Sequence, residues 1–248
     1  MDLSLILITA GLYFIGGFVQ GLTGFAYGLI VVPALALFYP TPEAVGLAIL
    51  PGGAVVLYNF FLHRHGIEYR RILRFGLAGT VVLPLGAVFL YSLPQEVITG
   101  VLGGVVVVLI IWNITMVEHS RKALAKPGVG YIFTAIAGLL GGAFATPGPG
   151  MVAYLYASDP DRMRAKSNVQ FYFVVLSVGI LATHIVAGSI NASVAVRSAP
   201  FIPVVLAAVF LGARLSGKVD AGRFKTVTDV ALILVGLYLL AGAVVPGF

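Results

Sequence analysis

Residues 138–150 read Gly-Leu-Leu-Gly-Gly-Ala-Phe-Ala-Thr-Pro-Gly-Pro-Gly, with apolar sequence on both sides. A continuous helix is disfavoured there, because Pro147 and Pro149 lack an N–H and clash with the preceding turn, and the glycines raise the entropy cost of helical backbone. The helix is expected to stop, turn and restart. The flanks are too apolar for a surface loop, so the break is expected at membrane depth, where unpaired backbone is tolerated only in packed protein or along a polar cavity. Residues 16–28, Gly-Gly-Phe-Val-Gln-Gly-Leu-Thr-Gly-Phe-Ala-Tyr-Gly, have the same character about 122 positions upstream. Two broken apolar segments at matching positions in two halves point to the binding site of a transporter.

The composition agrees with burial in lipid. Of 248 residues 60% are hydrophobic and 10% charged, and the mean hydropathy is +1.06, whereas an ordinary soluble domain carries about 25% charged residues. At about 20 residues per crossing the length supplies several spans and little else, so function is expected inside the bilayer. The absence of cysteine excludes disulfides, thiolate metal sites and thiol nucleophiles. A net charge of +6 could suggest nucleic acid, but the basic residues sit in short clusters between apolar segments, where they report topology. The start, Met1-Asp2-Leu3-Ser4, has no basic region of the kind a cleaved signal carries.

The apolar run at 3–38 would be about 54 Å long as one helix, so it is expected to fold back or cross twice, with its break between Gln20 and Gly28. Spans are expected at 43–62, 72–91 and 97–117, then a second broken segment at 129–157, then spans at 168–187, 198–213 and 226–245. The basic connections at 63–74, 118–130, 159–166 and 214–225 are assigned to the cytoplasm, which leaves both termini outside. The halves then have opposite orientation. The expected fold is all-α and polytopic, an inverted-topology repeat of 8–10 membrane-embedded helical segments, each half a broken or re-entrant pair plus three spans. Its units are 1–117, a cytoplasmic linker at 118–130, and 131–248.

The paired glycine-rich breaks, Gly148-Pro149-Gly150 preceded by Ala137-Gly138-Leu139-Leu140-Gly141, and the ending Leu211-Gly212-Ala213-Arg214-Leu215 before a final span resemble the TauE/SafE family. The resemblance covers nearly the whole chain, and Thr146-Pro147 stands where the pattern would carry another glycine. It implies secondary transport, as an exporter, of a small anion such as sulfite or an organosulfonate, in the plasma membrane of a prokaryote. The expected partners are that anion, a coupling proton or sodium ion, the bilayer and a second copy in a homodimer. No cofactor, metal or nucleic acid is expected.

A small-anion site in lipid calls for donors without fixed charge, and helix N-termini at the two breaks supply them. The same glycines also fit close helix packing, as in Gly17-x3-Gly21, Gly24-x3-Gly28 and Gly138-x3-Gly142. Gln20, Thr23, Tyr27, Thr146 and Gly148 are the candidate wall, with Asn168 and Gln170 of the following span. Either threonine could instead bond its own helix, and Asn168 could cap one. Arg164 is the candidate gate, and lipid phosphate is its other reading. His184, alone well inside a span, is the candidate coupling residue. An anion channel is the main alternative, and an intramembrane enzyme acting on lipid is disfavoured, because the breaks hold no clustered carboxylates, arginines or metal ligands.

Overall fold

The proline and glycine clusters interrupt the helices where expected. A computed structural model describes residues 3–115, 126–216 and 221–244. Helices α1 (Leu3–Thr23) and α2 (Tyr27–Leu35) flank the first break, followed by α3 (Thr41–Leu62), α4 (Tyr69–Ser92) and α5 (Gln95–Thr115). Helices α6 (Pro127–Phe144) and α7 (Pro149–Ser158) flank the second, followed by α8 (Arg162–Val186), α9 (Ala192–Ser198), α10 (Ile202–Leu215) and α11 (Ala221–Val244). Among the described residues there is no strand, and six helical stretches are long and apolar enough to cross a bilayer, with two shorter apolar helices at 128–144 and 228–243. The chain is an all-α, multi-pass membrane protein whose outer face stays apolar, with Val81 at 78% and Val186 at 89% exposed.

Three helix starts lie five or more residues before expectation: α11 begins at Ala221 rather than 226, and a cap moves each of the other two. The span after the second break starts at Arg162 rather than 168, because the Asp161 side chain accepts the N–H groups of Met163 and Arg164. The basic run Arg162 to Lys166 is therefore helix. The next span starts at Ala192 rather than 198: Asn191 accepts from Val194 N, and Pro200 and Pro203 are absorbed by a 3-10 turn, Ala199–Phe201, and the first turn of α10. The expected linker at 118–130, with Arg121 and Lys122, and the connection carrying Lys218 lie largely outside the described residues.

Contacts along the helices fix their directions. The Thr9 hydroxyl lies 3.0 Å from the Tyr39 hydroxyl, so the first broken pair begins and finishes at one end of the bundle. Gly130 packs on Tyr154, so the second pair does the same. The second pair sits at the other end, because Arg71, near the start of α4, bonds Ser158 at 2.9 Å, while Gln95, just after α4, bonds Thr41 at 3.3 Å. Both breaks are hairpins with their tips inside, entered from opposite ends. The helix ends flanking all four basic connections gather at the Ser158 end.

Glycine allows the closest crossings. A side chain on Gly21 would strike the backbone of Val209 and Ala213 in α10, and one on Gly142 that of Leu83 and Ala87 in α4. Gly212 and Gly86 are the reciprocal small residues on α10 and α4. Gly17 and Gly21 correspond to Gly138 and Gly142 at one shift of 121 positions. The two crossings are thus equivalent in the two halves, and each joins a hairpin to a helix of the other half.

Candidate functional site

The hairpin tips meet. At the first, Gly24 (φ 83°) and Ala26 (φ 90°) turn the chain, and at the second Ala145 (φ 51°) and Gly148 (φ 71°) do so. All four lie in the left-handed region that reverses chain direction in few residues. A Cβ on Gly28 would lie 2.6 Å from the Ala145 carbonyl oxygen and 2.9 Å from the Thr146 methyl, so no larger residue fits between the tips.

Beside this contact is a cavity of about 80 Å³, lined by Gln20 and residues 25–29 from the first hairpin and residues 145–148 from the second. One face of α3, including Gly52 and Gly53, and one face of α8, Phe173, Ser177 and Ile180, complete the wall. At about 15 Å³ per water, the volume holds on the order of five waters or one small polyatomic ion, and no lipid.

The lining contains donors and no charge. The first-turn N–H groups of a helix have no acceptor within it. At α2, Tyr27 N donates to Gln20 Oε1 at 2.8 Å, which leaves those of Gly28 and Leu29. At α7, Gly148 caps without a side-chain acceptor, which leaves those of Gly150 and Met151. The opposing carbonyl end is covered, because Gly24 O accepts from Gln170 Nε2 at 2.9 Å and from Gln20 Nε2 at 3.4 Å. The positive end of α2 therefore faces the cavity, and that of α7 begins at its edge with Gly148, each worth about half a charge. Two hydroxyls add to them, since neither Thr146 nor Ser177 spends its own on the protein, while Tyr27 lines the wall with its ring and its Oη is buried without a partner. Such a wall suits a small anion that must also leave.

Residues 9–239 match the family described as Sulfite exporter TauE/SafE. The chain belongs to that family. The probable sulfite/organosulfonate exporter TauE of Cupriavidus necator (strain H16) is 25% identical to it over 96% of this chain and 93% of its own. No solved structure matches. Membership in TauE/SafE makes the chain a membrane transporter and not an enzyme, as the sequence led us to expect.

Of the residues expected at the site of this TauE/SafE chain, Gln20, Tyr27, Thr146 and Gly148 line the cavity. Thr23, Asn168, Gln170, Arg164 and His184 are not in its lining. The Thr23 hydroxyl turns back to its own backbone, 2.9 Å from Val19 O. Asn168 Oδ1 accepts from Glu68 N at 2.9 Å and so caps the start of α4. Gln170 supports the first tip from behind. Arg164 grips Asp159 through two bonds of 2.7 and 2.8 Å, with Glu68 at 3.8 Å, and holds the Asp159 carboxyl below its usual range. His184 is buried at the far end of α8, its Nδ1 2.9 Å from Ser189 Oγ and 3.3 Å from Tyr91 Oη. Ser177 was not anticipated. Its signal is helical spacing, since Gln170, Phe173, Ser177 and Ile180 share one face of α8.

Proposed function

We propose that this chain exports a small anion, sulfite or an organosulfonate, by alternating access about the cavity between the two hairpin tips, in the plasma (inner) membrane of a prokaryote. The observation that carries this reading is an uncharged cavity of about 80 Å³ between the two hairpin tips, bounded by the α2 N-terminus, by Gly148 at the start of α7 and by the unspent hydroxyls of Thr146 and Ser177. The reading treats the two halves as an inverted-topology repeat, and the equivalent glycine crossings and opposed hairpins support it. A gradient of protons or sodium ions drives export, and two copies associate as a homodimer. The basic end of the bundle is cytoplasmic.

Cross-half ion pairs favour a carrier over a channel. Glu43 pairs with Arg197, and Glu68 with Arg164. Each joins one half to the other, and the 22 residues of α3 separate them by about 33 Å. A pathway sealed at both ends by such contacts opens one end at a time. The test is purified protein in vesicles loaded with sulfite, thiosulfate, taurine, sulfoacetate or a small carboxylate. Saturable flux with counterflow is expected for a sulfur oxyanion, and flux linear in concentration, or none for any anion, overturns the reading. A cysteine placed at Lys122 is expected to be unreachable by an impermeant reagent from outside, and its modification would reverse the topology.

A further inference from the structure

We propose that Lys166 forms a second anion site on the approach from the basic end, handing substrate between water and the cavity. The inference rests on the transport reading above.

Lys166 is half-buried in the second turn of α8. Among the described residues it has neither a carboxylate partner nor a hydrogen bond. The nearby carboxylates are taken, because Arg164 and Arg71 hold Asp159 and Glu68. A half-buried ammonium without a counter-charge leaves a positive field beside the tip that concentrates small anions there. The position fits that role. A Cβ on Gly24 would meet Gln170 Nε2 at 3.2 Å and Lys166 Cε at 3.6 Å, so the stem lies against the turn of the first tip. The far side of that same turn, Phe25 to Gly28, lines the cavity. His63, at the end of α3, senses the charge: burial, and then the Lys166 ammonium, lower its pKa to about 4, so at neutral pH it does not compete for the anion. The anion itself supplies the missing counter-charge. The site takes a small oxyanion carrying at least one full negative charge, and a neutral or zwitterionic sulfur compound gains little from it.

The chain contains no cysteine, so one introduced at this position can be recharged chemically in the folded protein. Lys166→Cys and Lys166→Gln are reconstituted and their flux measured with sulfoacetate, since sulfite would cleave a mixed disulfide. Both variants are expected to raise KM about tenfold or more, the loss of one charge-assisted contact. Aminoethyl methanethiosulfonate is expected to restore Lys166→Cys, the anionic sulfonatoethyl reagent to depress it further, and sulfoacetate to slow labelling. Wild-type KM in both variants, or equal effects of the two reagents, overturns the proposal while leaving the cavity reading intact. If both fail to fold and Lys166→Arg folds, the charge serves the fold and the proposal is equally overturned. A dependence of wild-type flux on phosphatidylglycerol, lost in Lys166→Gln, assigns the ammonium to a lipid headgroup and also overturns it. Absence of wild-type flux for every anion defeats the transport reading instead.

Discussion

Replacing Thr146 with valine keeps the shape of the side chain and removes its hydroxyl, which lines the cavity and bonds no protein group. Removing a group that the protein does not use leaves nothing unpaired, so folding stability is expected to stay within about 0.5 kcal/mol of the wild type. A bound anion would lose one charge-assisted hydrogen bond of about 1.5–3 kcal/mol, which is about a 10- to 150-fold weaker affinity. Thr134→Val is the opposite case. That hydroxyl lies 2.7 Å from Phe75 O and 2.9 Å from Tyr172 Oη, wholly buried and away from the cavity. Its removal strands the Tyr172 hydroxyl, whereas Phe75 O keeps its bond within α4, at a cost of about 1–3 kcal/mol in stability and none in intrinsic affinity. Titration calorimetry with sulfite, beside thermal unfolding of both variants in detergent, separates the two effects. Wild-type affinity in Thr146→Val, or lost affinity in a stable Thr134→Val, would show that the anion does not bind between the tips.

Three further outcomes are expected. Gln20→Leu strands Tyr27 N at the start of α2, so it should lower the unfolding midpoint as well as affinity, by about 1–3 kcal/mol in stability; an unchanged midpoint would mean that the amide does not hold the first tip. Gly148→Ala meets no atom closer than 3.8 Å, yet its φ of 71° and ψ of 147° suit glycine alone, so about 1–3 kcal/mol of backbone strain should turn the α7 N–H groups away and abolish flux in a folded protein; normal flux would refute it. Stability should fall on acidification, because His63 drops from an ordinary value of 6.5 to about 4 on folding. The unfolded chain then binds the extra proton between those values, so the contribution is complete above pH 6.5 and lost on the way down to 4. Its slope is well under about 1.4 kcal/mol per pH unit, since His63 is half-exposed. Asp159, whose pKa is lowered, adds a loss at still lower pH. Unfolding midpoints from pH 8 to 4 should lose the upper part of this slope in His63→Gln.

The hairpins were legible because proline and glycine act on the backbone wherever the chain runs. Single prolines are absorbed within helices here, as Pro33, Pro51 and Pro84 are, but Pro147-Gly148-Pro149 places two missing N–H groups and a glycine side by side, and the helix stops. The site was half legible for a related reason. A break in an apolar interior strands peptide groups, and polar side chains close in sequence satisfy them first: Gln20 serves Tyr27 N and Gly24 O, and Thr23 its own turn. Asn168 was drawn off by Glu68 N, a group 100 positions away. Only the folded distances show which side chains are left over. Those are Thr146 and Ser177, together with Tyr27, whose ring packs against Gly52 and Gly16. Lys166, unpaired among the described residues, was hidden among basic residues that mark topology, because sequence does not show that Arg164 takes Asp159 of its own connection and Glu68 of another segment.

The glycine crossings also constrain how the cavity opens on the proposed transport reading. Gly21 against Gly212, and Gly142 against Gly86, bring backbone onto backbone, where close-packed surfaces hold discrete registers instead of sliding. The first hairpin is therefore fixed to α10 and the second to α4, each a helix of the other sequence half. Rigid units built this way do not coincide with residues 1–117 and 131–248. On the proposed transport reading, what remains to move is the contact between α3 and α8, which run antiparallel beside the cavity and carry its Gly52, Gly53 and Ser177 wall, since α8 is itself held to α4 by Gly76 against Val175 and Gly179 against Thr80. The cross-half ion pairs lie at the two ends of these helices: Glu43 of α3 meets Arg197 beyond α8, and Arg164 of α8 meets Glu68 beyond α3. Partly exposed pairs of this sort are worth about 0–1 kcal/mol each, weak enough to exchange on the timescale of a transport cycle. If export runs by the alternating access proposed above, opening one end costs one such pair and leaves the glycine crossings, the costly contacts, unbroken.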